Sequence, residues 1–248
     1  AAKWIGCRNM DVGNGAPSTY LECFDWFLAP TDLNGQNPDP AKAPDVINNS
    51  WGCPTAEGCN SGNWATMQTA VANLTAAGVL VVASAGNSGS GCSTVNDPPA
   101  MFAESFSVGA FSSSDGGLAT FSSRGPVTVD SSNRMKPDIA APGVSVRSST
   151  FGSDTSYGSK SGTSMAGPHV AGAAALLMSA VPQLKRQPAL VRQYLTQSAT
   201  AVSSTTCSSA GVPNNLYGSG RLNVFAAVQE AIVDFDPIFE VGFEEALE

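Results

Sequence analysis

The run Val79-Leu80-Val81-Val82-Ala83 limits the possible folds more than any other part of the chain. Five consecutive apolar residues leave no polar side to turn toward water, so they predict a strand covered on both faces. A parallel sheet meets that need, because each return connection lays a helix on one face. The flanking sequence supplies such helices. Met67, Val71 and Leu74 recur at i, i+4 and i+7 in a helix predicted over 64–77, which Gly78 is placed to end. Further strands are predicted at 3–7, 45–49 and 106–110. Further helices are predicted at 18–28 with Ser18 as N-cap, at 164–178, at 188–197 behind Pro188, and at 224–232. Helix 164–178 is rich in Ala and Gly, which lets neighbouring backbones come close and marks it as central. Residues 112–133 and 142–162, dense in Ser, Gly and Asp, read as long loops, which in a compact domain are often functional. The alternation predicts an α/β fold, a doubly wound and mostly parallel sheet flanked by helices.

Charge and cysteine content narrow the function. Twelve Lys and Arg stand against 20 Asp and Glu, a net charge of −8, which argues against a nucleic-acid partner. Asp234, Asp236, Glu240, Glu244, Glu245 and Glu248 crowd the C-terminus, so the chain divides into a body over 1–232 and an acidic tail over 233–248. The tail reads as a solvated terminus or as a short docking segment. No apolar stretch approaches the roughly 18 residues of a membrane span. The six cysteines contain no CxxC pair, which disfavours zinc ribbons and thioredoxin-like sites. They read as disulfides of a secreted or extracellular protein, with free core thiols as the alternative. Cys53 and Cys59 bracket a short loop; Cys7 with Cys23, and then Cys92 with Cys207, complete the expected pairs. His169, the single histidine, rules out any metal site needing two imidazoles.

The chemistry concentrates in Gly162-Thr163-Ser164-Met165-Ala166-Gly167-Pro168-His169-Val170-Ala171-Gly172. A serine where a loop enters a long helix sits beside unpaired N–H groups at the positive end of the helix dipole, well placed beside a developing oxyanion. Taken alone it reads simply as an N-cap. The whole string resembles the nucleophile motif of the subtilisin-like serine proteases, with Gly167 where Ser or Ala is usual. Four more segments carry the resemblance in order beside the substrate strand Val46–Gly52: Val81–Gly89, Phe121–Pro126, Lys136–Gly143 and Tyr217–Val224.

The resemblance implies a secreted endopeptidase in which Ser164 is the nucleophile and Asn87, with the Ser164 N–H, forms the oxyanion hole. It implies that an extended peptide or protein substrate lies along Ser50, Trp51 and Gly52, with Ala85 and Gly86 as the opposite wall. Those small residues suggest room for a bulky apolar side chain. Trp51 either shapes a subsite or belongs to the core. No cofactor is required by this chemistry; calcium, common in the family, cannot be assigned to residues. No string here resembles the family's catalytic Asp or His segments. His169, at i+5 from Ser164, is rotated about 140° around the helix and reads as a core imidazole rather than the base. The chain is therefore expected to be the C-terminal part of a catalytic domain, incomplete at its N-terminal side, inactive alone and partnered by the missing segment. A non-catalytic peptide-binding chain and an esterase are the competing readings.

Overall fold

Each parallel strand pair needs a crossover, and most of this chain is spent on them. The computed structural model describes residues 2–235. A short antiparallel pair, β1 (Met10–Asp11) and β2 (Asn14–Gly15), leads into α1 (Pro17–Leu28). β3 (Val46–Asn49) returns through α2 (Trp64–Ala76) to β4 (Leu80–Ser84), and long connections lead on to β5 (Phe106–Phe111) and β6 (Ile139–Pro142). An antiparallel hairpin, β7 (Val146–Ser149) and β8 (Tyr157–Lys160), precedes α3 (Thr163–Ala180), α4 (Pro188–Gln197) and α5 (Val224–Phe235). The central sheet has the order β3-β4-β5-β6, every pair parallel.

The valine run shows why its apolar pattern is unbroken. Leu80 and Val82 face Val170, Ala174 and Leu177 of α3, while Val79, Val81 and Ala83 face Met67, Val71 and Leu74 of α2 and Tyr20 and Phe24 of α1. Every residue of β4 and of β5 is buried. α3 packs across all four strands and against α4 and α5, and its buried Ala166, Ala173 and Ala174 permit that close approach. Behind β6, Ala140 meets Leu216 and Tyr217. Its N–H donates to Gly220 O at 2.9 Å and its carbonyl accepts from Leu222 N at 2.8 Å, which closes that edge of the sheet.

One ionic network crosses the interior. Lys136 is 1% exposed, and its Nζ donates to Asp138 Oδ2 at 2.6 Å and to Ser105 O at 2.7 Å. Asp138 also accepts from Ser107 N at 2.7 Å and from Arg192 Nη2 at 3.2 Å, so β5, the segment entering β6 and α4 share one carboxylate. Burial pulls the Lys136 pKa down, and Asp138 opposes that pull.

Several elements depart from the sequence expectation. Residues 3–7 form no strand: no strand of the described residues pairs with them, Trp4 is 89% exposed, and a disulfide ties the segment to α1 instead. α1 begins at Pro17, whose fixed φ suits the first helical position, so Ala16 takes the N-cap place expected of Ser18. Residues 142–162 hold the β7–β8 hairpin, too polar to show strand periodicity; Arg147 stacks over Tyr157 at 4.4 Å. β6 was hidden by its Pro and Ala residues, which carry little strand propensity; pairing to β5 overrides them. α5 continues past 232 through Phe235, because Tyr194 donates to Asp234 at 2.8 Å and packs against Phe235. Burial and Asp234 push the Tyr194 pKa up to about 12. The acidic tail beyond 235 lies outside the described residues.

All six cysteines pair, as Cys7–Cys23, Cys53–Cys59 and Cys92–Cys207. Among the described residues no helix is long and apolar enough to cross a membrane.

Two stability predictions follow from this packing. Asp138→Asn leaves a buried ammonium without its carboxylate and should lower unfolding free energy by about 3–5 kcal/mol in urea titrations; a loss under about 1 kcal/mol would show that the network does not hold the sheet. Cys92–Cys207 spans 115 residues and Cys53–Cys59 only 6. Replacing the first pair by Ser should cost about 5 kcal/mol and the second about 2 kcal/mol on chain-entropy grounds. Equal losses in the same titrations would contradict that ranking.

Candidate active site

The first turn of α3 is clamped between two strand ends, and each clamp is reciprocal. On one side Ser164 Oγ donates to Ser50 O at 3.1 Å, and Ser50 Oγ donates back to Ser164 O at 2.9 Å. Asn48 Nδ2 donates to Ser50 Oγ at 2.9 Å, which fixes that hydroxyl beyond the end of β3. On the other side the Thr163 N–H and Oγ1 both donate to Asn87 Oδ1, at 2.9 and 3.0 Å. Thr163 Oγ1 accepts from Gly86 N at 3.2 Å. Asn87 thus caps α3 from another loop. Its oxygen is fully engaged, while its Nδ2 donates to none of the described residues and stands at the surface, oriented and free.

The loop bearing Asn87 is braced from behind. Ser123 N donates to Gly86 O at 3.0 Å, Ser88 N donates to Ser123 Oγ at 3.0 Å, and Gly89 N donates to Phe121 O at 2.8 Å. Gly86 has φ +104°, and a Cβ there would stand 2.8 Å from Ser123 Oγ, so glycine is required twice over. The loop before α3 is fixed by Gly162 N donating to Gly143 O at 2.8 Å and Gly143 N donating to Phe111 O at 2.9 Å. The 121–126 and 136–143 segments therefore hold the site together without lining it.

The strand ends and the helix mouth enclose a cleft of about 220 Å³. Ser164, Asn87, Ser50, Trp51, Gly52, Ala85 and Gly86 all line it, so the structure brings together every residue singled out from the sequence. It adds Ser84, Asp97, Ala100 and Thr163. Thr163 stood beside Ser164 in the motif string, so a signal for it existed; Asp97 lies in an aperiodic loop that offered none. A larger but shallower depression of about 480 Å³ between α1 and α2 contains none of these groups.

Trp51 takes both roles that the sequence left open. It stacks on Tyr20 with ring centroids 3.8 Å apart and also lines the cleft. Tyr20 donates to Glu57 Oε2 at 2.6 Å, and burial with that contact pushes the Tyr20 pKa upward. Burial, and then the Glu57 charge, raise the Asp97 pKa above the usual carboxyl value.

His169 does not fit the core position expected of it. It is exposed on α3, and its Nδ1 donates to Met165 O at 2.8 Å. An i+5 step carries the side chain around the helix to the outer face, and it does not line the cleft. Among the described residues no three His, Cys, Asp or Glu side chains gather as metal ligands, so calcium remains unassigned to any of them.

Comparison with known proteins identifies the family. Bacillopeptidase F of Bacillus subtilis (strain 168) is 40% identical over 238 residues, covering 94% of this chain and 15% of the relative. Subtilisin Savinase of Lederbergia lenta is 36% identical over 217 residues, covering 88% of this chain and 64% of the relative. The chain thus spans less than two thirds of either. Among solved structures, proteases from Pseudoalteromonas arctica superpose with a TM-score of 0.65 at 28% identity, over 88% of this chain and 59% of theirs. The prenylagaramide maturation protease PagA superposes at 0.64 with 24% identity, over 90% of this chain and 70% of its own, and shows the shared fold. The family model described as the Subtilase family matches residues 2–220. A match across nearly the whole described chain, together with relatives of this similarity, means that the chain belongs to the subtilase family.

Proposed function

We propose that this chain carries the nucleophile and the oxyanion-stabilising groups of a secreted serine endopeptidase, and that it grips extended peptides without cutting them unaided. The observation that carries the reading is the paired arrangement at the mouth of α3: the Ser164 hydroxyl beside an Asn87 carboxamide whose oxygen is tied down and whose nitrogen is free. A peptide laid along Ser50, Trp51 and Gly52 as an added strand would bring its carbonyl to that mouth. Attack by Ser164 Oγ would place negative charge on the carbonyl oxygen. Asn87 Nδ2 and the Ser164 N–H would stabilise that charge, helped by the positive end of the α3 dipole.

Among the described residues no imidazole stands against the Ser164 hydroxyl to take its proton. Ser50 O holds the Ser164 hydroxyl, but a peptide carbonyl is far too weak a base to take its proton. His169 is the only histidine of the sequence and sits on the outer face of the helix. A triad needs an imidazole against the hydroxyl and a carboxylate against the imidazole. We therefore assign both to residues outside these 248, a further segment of the same domain being their natural source. Three disulfides are consistent with an oxidising, extracellular setting.

Incubated alone with a chromogenic peptide amide, the chain should release no product above buffer. Hydrolysis that disappears in Ser164→Ala would overturn the claim that the base lies elsewhere. A peptide ending in a free carboxylate, which mimics a cleaved product, should bind. Asn87→Ala should weaken it roughly tenfold in fluorescence anisotropy, the value of one charge-assisted hydrogen bond; unchanged affinity would remove Asn87 from the oxyanion role.

A further inference from the structure

We infer that Asp97 makes the cleft selective for a substrate residue with a positively charged side chain, lysine or arginine, an inference that rests on reading the cleft as the peptide site. The cleft, at about 220 Å³, falls below the roughly 300–1,000 Å³ of pockets that take a drug-sized ligand. A space of that size suits a single side chain, and the groups on its walls decide which one. Trp51, Ala85 and Ala100 are apolar, and among the described residues Asp97 is the only acidic or basic one of the lining.

The backbone that carries the carboxylate is held in place. Cys53 N donates to Pro98 O at 2.8 Å, Met101 N donates to Asp97 O at 3.3 Å, and a Cβ at Gly52 would lie 3.9 Å from Asp97 Oδ2. Among the described residues nothing donates a hydrogen bond to the Asp97 side chain and no cation pairs with it; the one charge felt there is Glu57, also negative. A lysine or arginine side chain completes this surface, its stem along Trp51 and the two alanines and its charged end on Asp97. An aromatic side chain would bury the carboxylate unpaired, and an acidic one would be repelled. The bulky apolar preference suggested by Ala85 and Gly86 is the competing outcome, which a peptide ending in Phe reads directly.

The test uses four peptides identical except for a C-terminal Arg, Lys, Phe or Glu, binding to the chain and to Asp97→Asn. Arg and Lys should bind at least tenfold tighter than Phe, with Glu weakest, and the advantage should vanish in Asp97→Asn. Because the folded Asp97 pKa is raised, its contribution to stability is present below the unfolded pKa and lost as pH rises. Asp97→Asn should therefore melt no lower than the parent at pH 7, which guards against a misfolded variant. Equal or tighter binding of Phe, or an arginine advantage surviving in Asp97→Asn, would overturn the inference alone. Millimolar calcium that erases the advantage would assign the carboxylate to a metal ion and overturn it too. Failure of all four peptides to bind would remove the peptide-site reading itself, and this inference with it.

Discussion

The site depends on two reciprocal clamps at the first turn of α3. A helix N-terminus carries N–H groups with no partner in the helix, and here one of them, on Thr163, is satisfied by Asn87 Oδ1. That single bond does two jobs. It caps the helix, and it turns the amide nitrogen of Asn87 outward. The Ser50–Ser164 exchange pins the other side, hydroxyl to carbonyl in both directions, and joins the segment after β3 to the first turn of α3. Both clamps stand beyond the carboxyl ends of β3 and β4, the place where open parallel sheets generally bind ligands.

Precision at that mouth requires that the sheet behind it not shift. The Lys136–Asp138–Arg192 network meets this need at the opposite end of β5, tying strand and helix through charge-assisted bonds rather than packing alone. Buried ion pairs contribute little net stability compared with apolar replacements, but they punish misalignment, because a displaced partner leaves a bare charge. The braces around Gly86 and Gly143 work by contact instead: each accepts a neighbour so close that a Cβ would intrude. Rigidity at the site is thus assembled from three directions, through Asp138, Ser123 and Gly162, none of which lines the cleft.

The parts legible in the sequence are those governed by periodicity or by a contiguous string. β4 could be read because both its faces are buried, and α2 because its stripe is regular. Ser164, Asn87 and the two cleft walls could be read as neighbours because each lies in a short segment of distinctive order. β6 could not, since its strand character comes from pairing with β5 rather than from its own residues. The β7–β8 hairpin was invisible because an exposed polar ribbon has no apolar alternation. His169 misled for a different reason: a motif residue was taken for a core residue, whereas the helix turns it to the outer face. Asp97 was illegible because only tertiary folding, through Cys53 and Pro98, carries that loop to the cleft wall.

Buried polar side chains of the scaffold are largely paired within the protein, with Trp64 Nε1, Ser105 Oγ and Arg124 Nε as exceptions. Asp138 has a partner on each oxygen, and the buried Asn49, Ser122 and Asn214 side chains are all hydrogen-bonded. At the cleft, by contrast, Asn87 Nδ2 and the Asp97 carboxylate have no partner among the described residues. Two such groups of opposite polarity, a donor and an acceptor, on the walls of one small cavity suit a ligand that offers a carbonyl oxygen and a cation together. A peptide backbone with a basic side chain is such a ligand. On the proposed reading the unsatisfied donor would place the carbonyl, and the unsatisfied carboxylate would select the residue that carries it.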